Sequence, residues 1–138
     1  MSASKPLYDA IKALAPSGIT VYSGEAKAIG SAVLTPPWLV LNIETPDSIR
    51  SAAATHLAGT GRLKVTVCAA DEANCHYWID AVHEAWRGAR VQVPGWAIGT
   101  LIQTEQSGPY LAGLTATDTN LRYQVAQVWF SFTASPLT

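Results

Sequence analysis

Arg62-Leu63-Lys64-Val65-Thr66-Val67-Cys68-Ala69-Ala70 runs directly into Asp71-Glu72-Ala73-Asn74-Cys75-His76-Tyr77-Trp78-Ile79-Asp80-Ala81-Val82-His83-Glu84-Ala85-Trp86-Arg87, and the hydrophobic period changes at the junction. In the first run Leu63, Val65, Val67 and Ala69 alternate with Arg62, Lys64, Thr66 and Cys68, the pattern of a strand with one buried and one polar face. In the second, Cys75, Trp78, Ile79, Val82 and Trp86 project within a narrow arc at about 100° per residue. Residues 71–87 therefore read as a helix whose apolar stripe packs on a sheet. Asp71 and Glu72 stand at its positive end, Arg87 and Arg90 at its negative end, and Gly88 terminates it.

Outward from this unit, residues 4–14 read as a short amphipathic helix. Ser4 can cap it, Pro6 is tolerated in the first turn, and Leu7, Tyr8, Ile11 and Leu14 recur at helical spacing until Pro16 and Gly18. Residues 19–22 follow as a brief strand, 23–37 as a loop ending in Pro36-Pro37, and 38–43 as a strand apolar on both faces. The stretch 44–61 is a long excursion or contains a helical turn at 49–56. Downstream, Val93-Pro94-Gly95 makes a turn, 96–103 reads as one strand, 106–109 as a loop, and 115–120 as a polar segment. The last strand spans 122–132, with large apolar groups on both faces. The order helix, strand, strand, strand, helix, strand, strand predicts one domain over residues 1–138. Its expected fold is a two-layer α+β sandwich: one twisted mixed or antiparallel sheet with helices mainly on one face.

Composition narrows the function classes. The chain has 138 residues, 9 Lys+Arg against 10 Asp+Glu, and 14% charged residues, so the field that draws nucleic acid or an anionic membrane is absent. An average soluble domain has about 25% charged residues. With so few solvating charges, either much of the surface is neutral polar or part of it does not face water. No apolar stretch approaches the ~18 residues of a membrane span, and Met1-Ser2-Ala3-Ser4-Lys5-Pro6 reads as a mature cytoplasmic start. Cys68 and Cys75 are expected as two buried thiols, with no Cys-x-x-Cys spacing to suggest a zinc or redox site.

Chemistry-bearing groups do not converge. His76, Asp80 and His83 share one side of the long helix, but the two histidines are seven residues apart and a solvated polar face explains them better than a metal site. Cys75 and His76 are neighbours that point about 100° apart on a helix, which rules out a dyad between them. His56 lies in the long excursion. Gly59-Thr60-Gly61 and the pair Gly95 and Gly99 read as ordinary turn glycines, because neither carries the ending of a phosphate loop. No cofactor is implied. Among the tryptophans, Trp78 and Trp86 are expected in the core, Trp38 and Trp129 in core or interface, and Trp96 exposed in a turn.

Residues 62–70, the helix 71–87 and the turn Val91-Gln92-Val93-Pro94-Gly95-Trp96 resemble tail terminator proteins of long-tailed bacteriophages, particularly those of actinobacterial hosts. The likeness extends to 13–22, to Pro37-Trp38-Leu39-Val40-Leu41, to Glu105-Gln106-Ser107-Gly108-Pro109, to Arg122-Tyr123-Gln124-Val125 and to Ser135-Pro136. It departs most at 44–61. The resemblance implies a virion structural protein without enzymatic activity. Such a protein forms a ring, usually of six subunits, on the head-proximal end of the tail tube at the tail–neck junction, after assembly in the host cytoplasm. Its implied partners are further copies of itself, the tail tube protein and a neck or head-completion protein, with neither membrane nor sequence-specific nucleic acid. The candidate interface residues are Trp38, His56, Trp96, Pro109, Tyr110 and Trp129, and the loops 23–37, 44–61 and 107–120 are expected to reach tube or neck. The competing readings are another neck or stopper component, and a small-molecule-binding or enzymatic domain built on Cys68, Cys75 or His56.

Overall fold

The computed structural model describes residues 4–24, 36–44, 59–111 and 123–136. Along the chain the elements are α1 (Ser4–Lys12), β1 (Thr20–Ser23), β2 (Trp38–Glu44), β3 (Gly59–Ala69), α2 (Glu72–Trp86), β4 (Trp96–Ile98), β5 (Ile102–Leu111) and β6 (Gln124–Pro136). They form the expected α+β arrangement: one curled mixed sheet with both helices on one face. The sheet order is β1-β2-β3-β6, with β4 and β5 both on the far side of β6. Among the described strands only β1 and β2 pair in parallel.

Strands β3 and β6 are the spine. They pair without a slip from Gly59↔Ala134 to Ala69↔Gln124. Their alternation divides the sheet into two faces. Leu63, Val65, Val67 and Ala69 on β3, and Ala126, Val128, Phe130, Phe132 and Ala134 on β6, point toward the helices and are almost fully buried. Helix α2 meets them with Cys75, Ile79, Val82 and Trp86. Asp71 caps it, its carboxylate accepting the Asn74 backbone N–H at 2.8 Å, which satisfies one of the donors a helix start leaves open. Helix α1 adds Leu7 and Ile11, and the Trp86 indole N–H donates to the Ile11 carbonyl at 2.9 Å inside the core. That bond fixes one helix to the other over the sheet.

Several expectations are corrected. Leu14 does not continue the apolar stripe of α1. The helix ends at Lys12 in tightened turns from Leu14 N to Ile11 O and from Ala15 N to Lys12 O, and Leu14 stands 38% exposed. Gly59 and Gly61 are strand residues of β3, not turn glycines. A Cβ on Gly61 would meet the Phe132 ring at 2.3 Å and the Glu44 carbonyl at 2.9 Å, so glycine is required by the close approach of its neighbours. The single strand expected over 96–103 is two. Gly99 passes so close to Thr133 that a Cβ would lie 2.5 Å from its Oγ1. Leu101 then leaves the ladder of β6 to exchange backbone bonds with Gly88 and Ala89. The loop expected at 106–109 is instead part of β5. The register shifts between Ser107 and Tyr110, where Gly108 at φ 85° and Pro109 are accommodated as a bulge, after an earlier shift between Gln103 and Glu105. The expected helical turn at 49–56, with His56, and the polar segment 115–120 lie outside the described residues.

Replacing Trp86 with Phe removes the indole bond to the Ile11 carbonyl, which keeps the Leu14 N–H as a donor. The expected loss is about 0.5–1.5 kcal/mol from that hydrogen bond, with the smaller ring adding to it, measured as a lower urea midpoint with an unchanged slope.

Candidate functional site

The polar groups that sequence reading singled out are placed separately. His76 and Asp80 stand exposed on α2, with His76 Nε2 3.7 Å from the Glu72 carboxylate. His83 departs from the solvated-face expectation. It is half-buried, its Nε2 lies 2.7 Å from Gln106 Oε1 on β5, and its ring stands edge-on to Phe130. This contact ties the flank of α2 to β5. Among the described residues no group of three or more His, Cys, Asp or Glu side chains is arranged to hold a metal ion.

The two thiols are free and buried on different sides of the sheet. Cys75 belongs to the helix-side core, whereas Cys68 packs with Trp38, Val40 and Val125 on the opposite face. Burial pushes the Cys68 thiol up to about 12 from an ordinary value of 9.0, with Cys75 adding to the effect. Burial likewise pushes Cys75 up to about 11, helped by the Glu72 carboxylate. A nucleophilic or metal-binding cysteine needs the opposite shift, so both side chains act as small apolar groups near neutral pH.

The face of the sheet turned away from the helices follows from the register, because residues paired across strands share a face. Trp38, Val40, Asn42 and Glu44 on β2 lie across from Cys68, Thr66, Lys64 and Arg62 on β3. Those in turn lie across from Val125, Gln127, Trp129 and Ser131 on β6. One half of this face is aromatic and apolar, with Trp38 packed 5.3 Å from Tyr123. The other half is polar around a half-buried Trp129, which lines a groove of about 210 Å³ with Asn42, Glu44, Arg62 and Lys64. Trp38 is thus a buried packing residue of this second cluster, and Trp129 reaches solvent through the groove. Trp96 is half-buried in β4 against the core and is not the exposed turn residue expected. Its N–H closes the turn by donating to Val93 O at 3.0 Å, and the turn holds the ring down.

The two outer edges of the sheet are the remaining feature. Among the described residues, β1 pairs only with β2, and β5 pairs only with β6. Strand β5 is ten residues long and exposed along most of both faces. Of the five exposed large hydrophobics among the described residues, Leu14, Tyr77, Ile102, Tyr110 and Leu111, three lie on this strand. Tyr110 was a candidate from sequence and is 48% exposed, and Pro109 beside it is half-buried in the bulge. Ile102 and Leu111 were missed. The polar run Gln103-Thr104-Glu105-Gln106-Ser107 between them has no alternation, because the strand is exposed along most of its length. Apolar residues on an exposed edge strand are a hazard unless something covers them or the edge is blunted.

No protein-family model matches this chain, and no curated protein matches it either.

The raised thiol values fix a pH window. The folded state keeps protons that the unfolded chain loses above about pH 9, so the thiols' stabilising contribution is complete below that value. It is lost as pH rises toward 11–12. Urea midpoints should therefore fall above pH 9 in the wild-type chain and fall less steeply when Cys68 and Cys75 are replaced by alanine. A thiol reagent at pH 8 should label the unfolded chain but not the folded one.

Proposed function

We propose that this chain is a virion structural protein of a long-tailed bacteriophage. In this reading it forms a ring, of six subunits by the resemblance, on the head-proximal end of the tail tube, ends tube polymerisation and joins the tail to the neck. The observation that carries the proposal is the sheet's pair of unlike edges, unpaired among the described residues, one of them the long, exposed and partly apolar β5. A cyclic assembly uses heterologous contacts, in which each subunit offers two different patches that meet on its neighbours. A sheet with unlike ends meets that requirement on a single domain. The sparse charge fits as well, since surface that is covered on assembly has less use for solvating groups.

The role proposed is mechanical. Both thiols are buried and stay protonated near neutral pH, and the second sheet face offers area for tube and neck. The implied partners are other copies of the chain, the tail tube protein and a neck protein.

Purified protein, alone and mixed with tail tubes of the phage that encodes it, is the test. Mass measurement and negative-stain imaging should give six-fold rings or tubes capped at one end. A chain that remains monomeric and leaves tube ends bare contradicts the proposal.

A further inference from the structure

Strand β5 is held by different means in its two halves. Among the described residues neither apolar cluster takes a side chain from 102–111, so the strand depends on its ladder to β6 and on its ties to α2. The first half is tied twice. Leu101, 1% exposed in the core, donates its backbone N–H to Ala89 O at 2.8 Å and accepts the Gly88 N–H at 2.9 Å. Those bonds pin the start of the strand to the residues that follow α2. Further along, Gln106 Oε1 lies 2.7 Å from His83 Nε2. The other ring nitrogen of His83 is buried without a partner among the described residues, so the imidazole's hydrogen bonding is committed to β5.

The second half rests on β6 alone. The register shifts between Ser107 and Tyr110, which leaves Gly108 and Pro109 outside the ladder, and a proline has no N–H to offer it. Tyr110 and Leu111 pair with Val125 and Gln124 yet stand 48% and 54% exposed. The side-chain hydrogen bonds of β5 among the described residues, from His83 to Gln106 and from Thr104 to the Trp129 carbonyl, both lie in the first half. Strand β6 is secured here without β5: Gln124 and Val125 pair with Ala69 and Cys68 of β3, and Val125 packs with Trp38, Val40 and Cys68. A segment with few buried apolar contacts opens at a lower free energy than the core it borders. Gly108 marks the division. At φ 85° it approaches β6 so closely that a Cβ would lie 2.6 Å from the Val125 carbonyl oxygen and 2.9 Å from Ala126 Cα, so a side chain there would push the strand off its seat.

We propose that β5 is a hinged edge strand, in which residues 102–106 stay anchored to α2 while residues 107–111 swing off β6 as a separate unit about the Gly108 bulge. Opening bares the β6 backbone at Gln124 and Val125 and leaves the pairing of β3 with β6 intact. The hinge is a property of the single subunit and does not depend on the ring reading. The two halves are governed by different residues. Leu101 and the His83–Gln106 bond set how firmly the first half is held, and the seat of Gly108 on β6 sets how often the second half leaves.

Native-state hydrogen exchange on the dilute full chain, read amide by amide by NMR across a series of low urea concentrations, tests the hinge. Amides bonded across the Tyr110–Val125 and Leu111–Gln124 pairs should exchange at least about tenfold faster than those bonded across the pairs from Ile102–Ser131 to Gln106–Val128. Their rates should also respond less to urea, because a local opening exposes little surface. Gly108→Ala should speed exchange in the second half by roughly tenfold and leave the first half within about twofold of the wild type. His83→Ala should do the reverse, loosening 102–106 while the second half keeps its wild-type rates. Equal rates and equal urea slopes in the two halves of the wild-type chain would overturn the hinge. So would either variant moving both halves together. Should Gly108→Ala fail to fold, the wild-type rates and His83→Ala decide the matter by the same criteria.

Discussion

The uninterrupted antiparallel pairing of β3 with β6 is the constraint on which the other features depend. Eleven consecutive registered pairs fix which side chains share a face. A slip of one residue would carry Val65, Val67, Val128 and Phe130 to the wrong side of the sheet. Both helices pack over the apolar face that this register creates, and the Trp86–Ile11 hydrogen bond locks them together there. The close approach at the end of the pair explains Gly61 as well. The Phe132 ring occupies the space a side chain would need, so the aromatic covers the backbone that glycine exposes. The same register sends Cys68 and Trp129 to the opposite face, where one becomes part of an apolar cluster and the other lines a polar groove.

Sequence made the centre of the fold legible because there the pattern and the packing agree. Strand β3 alternates cleanly from Arg62 onward, and α2 has a stripe that is buried almost as drawn. Reading failed where the backbone departs from regular periodicity for tertiary reasons. Gly99 and Leu101 break one expected strand into β4 and β5, since Leu101 pairs with Ala89 and not with β6. Gly108-Pro109 looked like a loop and is a bulge inside a strand, a distinction that depends on the partner strand and not on local composition. Leu14 has the right spacing for the α1 stripe but falls beyond the last regular turn.

The candidate site was only partly legible. Aromatic residues can be picked from sequence, and Trp38, Trp96 and Trp129 prove to be wholly or partly packed. The exposed apolar residues on β5 could not be found that way, because an edge strand exposed along most of its length has no alternation to detect. What makes the strand notable is position: it closes one end of a sheet whose other end, among the described residues, is the short strand β1 beside the longer β2. The low charge of the whole chain gains a location from this. Neutral and apolar surface gathers along β5, while His76, Asp80 and Arg87 stand on the exposed face of α2.

The central claim is that assembly uses the two sheet edges. Hydrogen exchange followed as the protein is concentrated and loaded onto tail tubes tests it most directly, since strand pairing slows the exchange of the amides it engages. Protection should rise together in residues 102–107 and in residues 20–24 and 42–44, while the exposed surface of α2 away from β5 should exchange as in the dilute protein. Protection that appears on the outer face of α2 with both edges unchanged would contradict the account.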